Sequence, residues 1–353
     1  MTHPTVTLPS VGFAGLDVGD RKSHLCVVDA ERRVVERTSF PTTRESLVRT
    51  FAQRPRCQVV LEAGSQSPWM SSLLRDLGHE VRVADPRKVA AITRAGRKTD
   101  RRDAETLARL LQGMPELLGS VYHRGEQAQA DVALLRARDL LVRTRTTLVQ
   151  HVRSTLKVFG LPPAKATPSS FHRKARAAIP EILMPALEPV LDVLKEVEGR
   201  IRQLDGTLER AAEERHPDTW ALRQVNGIGA VVSLAYVLTV DDPGRFAKSR
   251  MVGPWVGLCP QVRASGDSDP QLPISKTGNG YLRRLLIQSA HYILGPFGKD
   301  CDLRRFGLRL CERGGRAAKR RAAVAVARRL AVLLHRLWVS GEAYEPLRHA
   351  SGA

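Results

Sequence analysis

The chain has 353 residues, enough for two or three domains with sizeable cores, and 42% of them are hydrophobic, which excludes an intrinsically disordered protein. Its 56 Lys and Arg against 36 Asp and Glu give a formal net charge of +20, which points to a polyanionic partner, most simply nucleic acid. No apolar run reaches the ~18 residues of a membrane span, and five widely spaced cysteines (Cys26, Cys57, Cys259, Cys301, Cys311) with no C-x-x-C argue against zinc or disulfides and suit a reducing cytoplasm.

The opening M-T-H-P-T-V-T-L-P-S has no charged n-region and no apolar h-region, so no signal peptide is expected. Residues 11–17 read as a buried strand ending in Gly15-Leu16-Asp17-Val18-Gly19. Apolar runs follow at 24–29 and 33–40, with Gly19-Asp20 and Ala30-Glu31 as turns, so a three-stranded meander carries an acid on its first strand. Residues 43–53 read as a helix and 57–61 as a short β-branched strand ending at Glu62-Ala63-Gly64. A helix over 68–77 starts on proline; a strand over 80–84 precedes Asp85-Pro86 and another helix. The order β-β-β-α-β-α-β-α predicts a layered α/β domain, in which sites form at the carboxyl ends of strands, where Asp17 and Glu62 fall.

The stretch K-T-D-R-R-D-A-E at 98–105 then puts Asp100 and Asp103 three residues apart at a helix start, on one face. Arg94, Arg97, Lys98, Arg101 and Arg102 surround them, a combination suited to a divalent metal beside a phosphate backbone. Asp and Thr at a helix start equally suit capping and the positive end of the helix dipole.

From about 127 to 159 the pattern turns helical, with Leu134, Leu141 and Leu148 every seven residues. Arg136, Arg138, Arg143, Arg145 and Arg153 read as an opposite, basic face able to meet RNA or DNA. Residues 160–170 break the pattern, and a second helix over 187–210 makes an antiparallel hairpin or a coiled coil with another subunit. L-R-Q-V-N-G-I-G-A-V-V at 222–232 resembles a helix-hairpin-helix turn, in which Gly227 and Gly229 let the backbone approach a phosphate; a plain helix-loop-helix turn fits as well. Gly and Pro density over 256–279 reads as loop. It sets Ser265 on a tight turn among Arg263, Lys276, Arg283 and Arg284, where a serine can attack a phosphodiester or simply serve the turn. Residues 313–339 form a last basic amphipathic helix with Val324, Leu330, Leu333, Leu334 and Leu337 as its apolar stripe.

Four acids can be grouped: Asp17, Glu62, Asp100 and Asp103, two at strand ends and two on a helix able to cover that edge. Such a set suits hard cations that clamp the attacking and leaving oxygens of a phosphoryl transfer. Three rival readings stay open on the residues. One is a metal-dependent nuclease or junction resolvase that uses water. Another is an actin-like or sugar-kinase ATPase, although its repeated D-x-G hairpin has no second copy. The last is a non-catalytic nucleic-acid-binding protein.

The motifs G-L-D-V-G (15–19), L-E-A (61–63), D-P-R-K-V (85–89), K-T-D-R-R-D-A (98–104), N-G-I-G (226–229), G-L-C-P (257–260), S-G (265–266) and I-S-K-T-G-N with L-R (274–283) occur in one order. That ordered set resembles the DEDD-motif insertion-sequence transposases, recombinases with a RuvC-like nuclease domain related to site-specific DNA invertases. Asn226 stands where members often have proline. The resemblance implies an α/β RNase H-like (RuvC-like) domain over 1–125, a helical coiled-coil region over 126–215 and a mainly α C-terminal transposase domain over 216–353. It implies Mg²⁺ (or Mn²⁺) on Asp17, Glu62, Asp100 and Asp103, and Ser265 as nucleophile, with Ser268 and Ser275 nearby in sequence. Nucleic-acid contacts are expected from Arg97, Lys98, Arg101, Arg102, Arg136, Arg143, Gly227, Gly229, Arg263, Lys276 and Arg283. It further implies donor and target DNA, a noncoding bridge RNA that pairs with both, and a homo-oligomer, dimer or tetramer, in which the nuclease domain of one subunit meets the serine domain of another. The setting would be the prokaryotic cytoplasm, at the nucleoid, with no membrane partner.

Overall fold

The computed structural model describes residues 12–93, 100–162, 166–262 and 272–348, except the side chains of Thr93, Asp100 and Arg101. The chain divides into two compact units, Met1–Gly125 and Glu126–Ala353.

The first unit is mixed α/β. Its elements are β1 (Phe13–Val18), β2 (Lys22–Val28), β3 (Val34–Pro41), α1 (Arg44–Phe51), β4 (Gln58–Glu62), α2 (Ser67–Asp76), β5 (Glu80–Ala84), α3 (Pro86–Thr93) and α4 (Asp100–Gly113). This is the order expected from the pattern of apolar runs and turns. The five strands lie in the order β3-β2-β1-β4-β5. Tight turns join β1 to β2 and β2 to β3, so these pairs are antiparallel; helical crossovers lead to β4 and β5, which run parallel to β1. Alternation along the strands gives each face its own core. On one, Leu16, Val59 and Leu61 pack with Leu47 and Phe51 of α1 and Met70 and Leu74 of α2. On the other, Cys26, Val28 and Val60 meet Ala104, Leu107, Ala108 and Leu111 of α4. The unit is therefore three layers, with helices on both faces of the sheet. Within it, Cys57 is structural: burial pushes its thiol up to about 11, and His79 Nδ1 lies 3.3 Å from both its Sγ and its backbone nitrogen.

The second unit is helical: α5 (Glu126–Val158), α6 (Phe171–Arg176), α7 (Met184–Glu214), α8 (Thr219–Arg223), α9 (Ala230–Val240), α10 (Val252–Trp255), α11 (Gly280–Leu294), α12 (Asp302–Cys311) and α13 (Gly315–Ser340). Of the two arrangements open for the long helices, the chain adopts the antiparallel hairpin, since Leu135 meets Leu208 while Val152 and Leu156 meet Leu187 and Leu191. The expected basic face of α5 does not form as one surface. Arg138 donates to Asp205 at 2.8 Å, Arg145 donates to the buried Glu198 at 3.0 Å, and Arg153 lies 5.3 Å over the Phe171 ring. The reason is register: arginines seven apart on α5 meet acids seven apart on the antiparallel α7. Arg136 and Arg143 stay exposed, Arg143 pairing with Asp139 at 3.2 Å.

Helix α13 runs through the core of this unit and is buried more widely than the predicted stripe. Ala322, Ala323, Val326, Ala327 and Ala331 join Leu330, Leu334 and Leu337, because small side chains let α11 and α12 come close, while Val324 and Leu333 are only half-buried. Tyr236 of α9 donates to Ala331 O at 2.6 Å. Among the described residues no helix is long and apolar enough to cross a membrane.

Asp131 clamps the open end of the α5–α7 hairpin. It is fully buried and accepts from Arg215 Nη2 at 2.5 Å and from His216 Nε2 at 2.9 Å. Desolvation raises its pKa, but the hydrogen bonds from Arg215 and His216 outweigh that and hold it below the usual carboxylate range. Asp131→Ala removes the acceptor shared by Arg215 and His216; because the Arg215 side chain is partly open to solvent, a cost of about 1–3 kcal/mol in urea unfolding at pH 7 is expected. A depressed native pKa stabilises the fold above the unfolded value and loses that contribution as pH falls through the native one. The gap between wild type and Asp131→Ala should therefore narrow below about pH 4. A gap unchanged at pH 3 would show that the clamp is not ionic.

Candidate functional site

Strand register gathers the first acids. β1 and β4 are parallel with Leu16 opposite Leu61, so the next residues, Asp17 and Glu62, stand side by side at the carboxyl ends of the central strands. Residues in register on neighbouring strands point to the same face. That face is set by Gly15 and Val60, two positions earlier, which lie against α4. On the other side Asp17 is in register with His24 of β2. His24 was not singled out from the sequence; only the antiparallel register of β1 and β2 brings it to this edge.

Helix α4 completes the arrangement by its direction. Its last turn is tied to the β2–β3 turn, where Gln112 Nε2 donates to Ala30 O at 3.0 Å and Arg32 Nε donates to Gln112 Oε1 at 2.8 Å. That turn lies beside the start of β1, since Phe13 pairs with Val28. The first turn of α4 therefore lies toward the other end of β1, where Asp17 is. Asp103 precedes Leu107 and Leu110 by four and seven residues, which puts it on the sheet-facing stripe, and it is half-buried. Asp100 opens the same helix, and its side chain, like that of Arg101, lies outside the described residues; Arg97 and Lys98 lie outside them altogether. Arg102 is exposed.

Asp17, Glu62 and Asp103 offer carboxylate oxygens, which in donor type, though not as a gathered set, suit a hard divalent cation. Among the described residues no three His, Cys, Asp or Glu side chains stand close enough together to hold a metal ion.

Two details fix the edge. A Cβ on Gly15 would lie 2.1 Å from Ala104 O and 2.5 Å from Ala108 N, so only glycine lets α4 lie this close to β1. Gly15→Ala must push α4, and Asp103 with it, off the sheet; a loss of several degrees in melting temperature is expected, and a variant with wild-type stability would contradict this packing. Behind Glu62, Ser67 Oγ donates to Gly64 O at 2.8 Å, accepts from Gly64 N at 2.9 Å and meets His123 Nε2 at 2.7 Å. Burial holds His123 below its ordinary pKa, so the neutral ring donates through Nε2 and pins the turn that follows Glu62. The residues 123 and 67 carry no sequence signal for this pairing.

In the second unit a short loop joins α8 to α9, an arrangement common to the helix-hairpin-helix and plain helix-loop-helix readings. Gly227 has φ +90°, Gly229 caps α9, and Ile228 between them is buried. Gly227 owes its conformation to packing as well, because a Cβ there would sit 2.8 Å from Cδ1 of Tyr292. A cleft of about 410 Å³ opens at this turn, lined by Gly227, Gly229 and Arg138 among others.

Ser265, Ser268 and Arg263 lie outside the described residues. The chain on either side of them is pinned: Gln261 N donates to Pro273 O at 3.0 Å, Ser275 N to Cys259 O at 2.8 Å and Lys276 N to Gly257 O at 3.2 Å. Gly257 and Gly278, both at positive φ, allow this contact, since a Cβ on Gly278 would lie 2.1 Å from Trp255 O. Arg283 is a brace here, donating through Nη1 to Val256 O at 2.9 Å and Thr277 O at 2.7 Å. Lys276 is exposed, and Arg284 pairs with Asp139 at 2.5 Å.

Known proteins match the chain in two stretches. Residues 14–160 match a family model described as Transposase (DEDD_Tnp_IS110), and residues 220–297 match one described as Transposase IS116/IS110/IS902 family. The chain is 27% identical over 349 residues to the transposase for insertion sequence element IS1111A of Coxiella burnetii, covering 96% of this chain and 92% of that protein. It is 29% identical over 301 residues to a protein of Pseudomonas aeruginosa named "Probable family 20 transposase", covering 82% and 86%. It is 28% identical over 288 residues to the transposase for insertion sequence element IS1328 of Yersinia enterocolitica, covering 80% and 84%. Matched in both of its units by transposase models and over most of its length by insertion-sequence transposases, the chain belongs to the IS116/IS110/IS902 transposase family, whose members cut and rejoin DNA.

Proposed function

We propose that the first unit is an RNase H-like, RuvC-like nuclease domain and that the second supplies a serine nucleophile to the same phosphodiester. The observation that carries the first half is Asp17 beside Glu62 at the strand ends, on the face that α4 covers with Asp103. The mixed sheet order and the helices on both faces support the same reading. Asp17, Glu62, Asp100 and Asp103 are the residues that would hold Mg²⁺ or Mn²⁺. When bound, such ions neutralise charge on the phosphate and on the leaving oxygen.

Ser265 carries the second half. Its Oγ attacks phosphorus, an Oγ–P bond forms and the P–O3′ bond breaks. The serine proton is lost to the medium, and the departing oxygen takes one up as a free 3′ hydroxyl. Attack of an exchanged strand's 3′ hydroxyl on the phosphoserine reverses these bonds and restores both diester and serine. The serine ester conserves the bond energy, so joining needs no nucleotide cofactor. A noncoding bridge RNA pairing with donor and target DNA would select the sites, within a homo-oligomer whose subunits share nuclease and serine domains. The net charge of +20 and the exposed Arg102, Arg136 and Lys276 support a polyanionic partner.

The test is to purify the full chain, sequence the copurifying nucleic acid, and assay cleavage of DNA matching that sequence and the DNA flanking the gene. Cleavage should vanish on chelation and return with Mg²⁺ or Mn²⁺; full activity in chelator would refute the metal role.

A further inference from the structure

A groove of the second unit lies on α13, beside Pro260 and Leu272, which flank the segment that carries Ser265. It holds about 990 Å³ and is bounded by Arg250, Arg320, Arg321, Arg328 and Arg329. Its floor is apolar: Val324, Ala325 and Val332 along α13, with Leu258, Ile274 and Phe306 from neighbouring segments. Residues 321, 324, 325, 328 and 332 follow helical spacing, so they form a second stripe on α13, half-exposed, beside the one buried in the core.

The arginines of this groove differ from those of α5. Arg138, Arg143 and Arg145 are neutralised by Asp205, Asp139 and Glu198. Among the described residues, none of the five groove arginines pairs with a carboxylate. Arg329 instead lies over the Phe306 ring, 3.4 Å from its centroid, which makes a flat cation–aromatic platform at the groove wall. The stem of Arg328 rests against Gly253, with its Cγ 3.1 Å from where a Cβ would be, which fixes its course along the rim.

We infer that this groove binds single-stranded nucleic acid, its arginines on the phosphates and its floor and Phe306–Arg329 platform against unpaired bases. Duplex turns its bases inward and offers a protein mostly phosphate and sugar, so the apolar floor would go unused. An unpaired strand presents anionic backbone and flat apolar rings together, matching both halves of the groove. The inference rests on α13 and its neighbours alone. It needs neither the serine nor the metal assignment, although Pro260, Leu272 and Pro273 beside the Ser265 segment also line the groove, and its failure would leave both assignments standing.

The experiment uses the full chain and fluorescence anisotropy with dT and U strands about 12 nucleotides long, their matched duplexes, and anionic lipid vesicles. Arg321→Glu/Arg328→Glu is compared with Arg316→Glu/Lys319→Glu, which makes the same charge change on exposed positions of α13 outside the groove. The groove pair should weaken binding of one or both single strands at least tenfold and lower the salt slope by about 1.4, for two lost phosphate contacts. Duplex affinity, and all affinities of the control pair, should change less than about twofold. Tenfold loss with dT names DNA as the occupant; with U, RNA. Photocrosslinks from 5-iodouracil strands should map to the peptide carrying Phe306. Equal losses for strand and duplex, equal losses in both variant pairs, crosslinks confined elsewhere, or a loss confined to the vesicles would overturn the inference.

Discussion

Asp17→Asn and Asp103→Asn are each expected to lower DNA cleavage by about 10³-fold or more, with nucleic-acid affinity held within about twofold. The amide keeps the shape of the side chain but removes the charge that binds a hard cation. Asp17 sits one pair before the end of the β1–β2 ladder, and Asp103 on the first turn of a helix anchored by Ala104 and Leu107, so neither substitution should unfold the unit. Binding survives because the cationic surface supplies it, whereas the acids oppose a polyanion. Single-turnover cleavage beside equilibrium binding measures the two separately. Wild-type cleavage by Asp17→Asn would remove this edge from the chemistry. A parallel loss of binding would make the acids structural.

Ser265→Ala carries the second large effect. The variant should lose cleavage by about 10⁴-fold or more, because removal of the attacking atom leaves positioning and electrostatics without a nucleophile. Ser268→Ala, three residues on in the same segment, should retain cleavage within about tenfold, and Ser275→Ala likewise. Ser275 Oγ is already engaged at 3.0 Å with Thr277 Oγ1, and its backbone N–H holds the pinned stem, both signs of a structural role. Rapid-quench cleavage with each alanine variant tests the assignment. Hydrolysis that continues unchanged in Ser265→Ala would favour a water-using nuclease.

Local patterns carried much of this account. Turn residues at 19–20 and 30–31 and short apolar runs revealed the meander, and the strand ends revealed Asp17 and Glu62. The 103/107/110 spacing suffices to place Asp103 on the inward face of α4. What stayed hidden depends on contacts between distant segments. No local feature says that Arg138 and Arg145 will meet Asp205 and Glu198, because that follows from the register of two helices separated by a long break. The same holds for His24, delivered by strand pairing, and for His123, which pins the turn after Glu62 from far along the chain. Helix α13 read as a basic amphipath with one packing stripe of valine and leucines, whereas its alanines widen that stripe into the centre of a core. Alanine is weakly apolar, and its burial is set by the neighbours that close on it.

The central claim is that four acids and one serine act on a single phosphorus, and the most direct measurement is capture of the linkage itself. Full-length protein is mixed with end-labelled cognate DNA, quenched in denaturant, digested, and the DNA-linked peptide identified by mass spectrometry. The predicted result is a metal-dependent adduct on the peptide containing Ser265, missing from Asp17→Asn. An adduct that persists in Ser265→Ala, or that forms in full under chelation, would contradict the account.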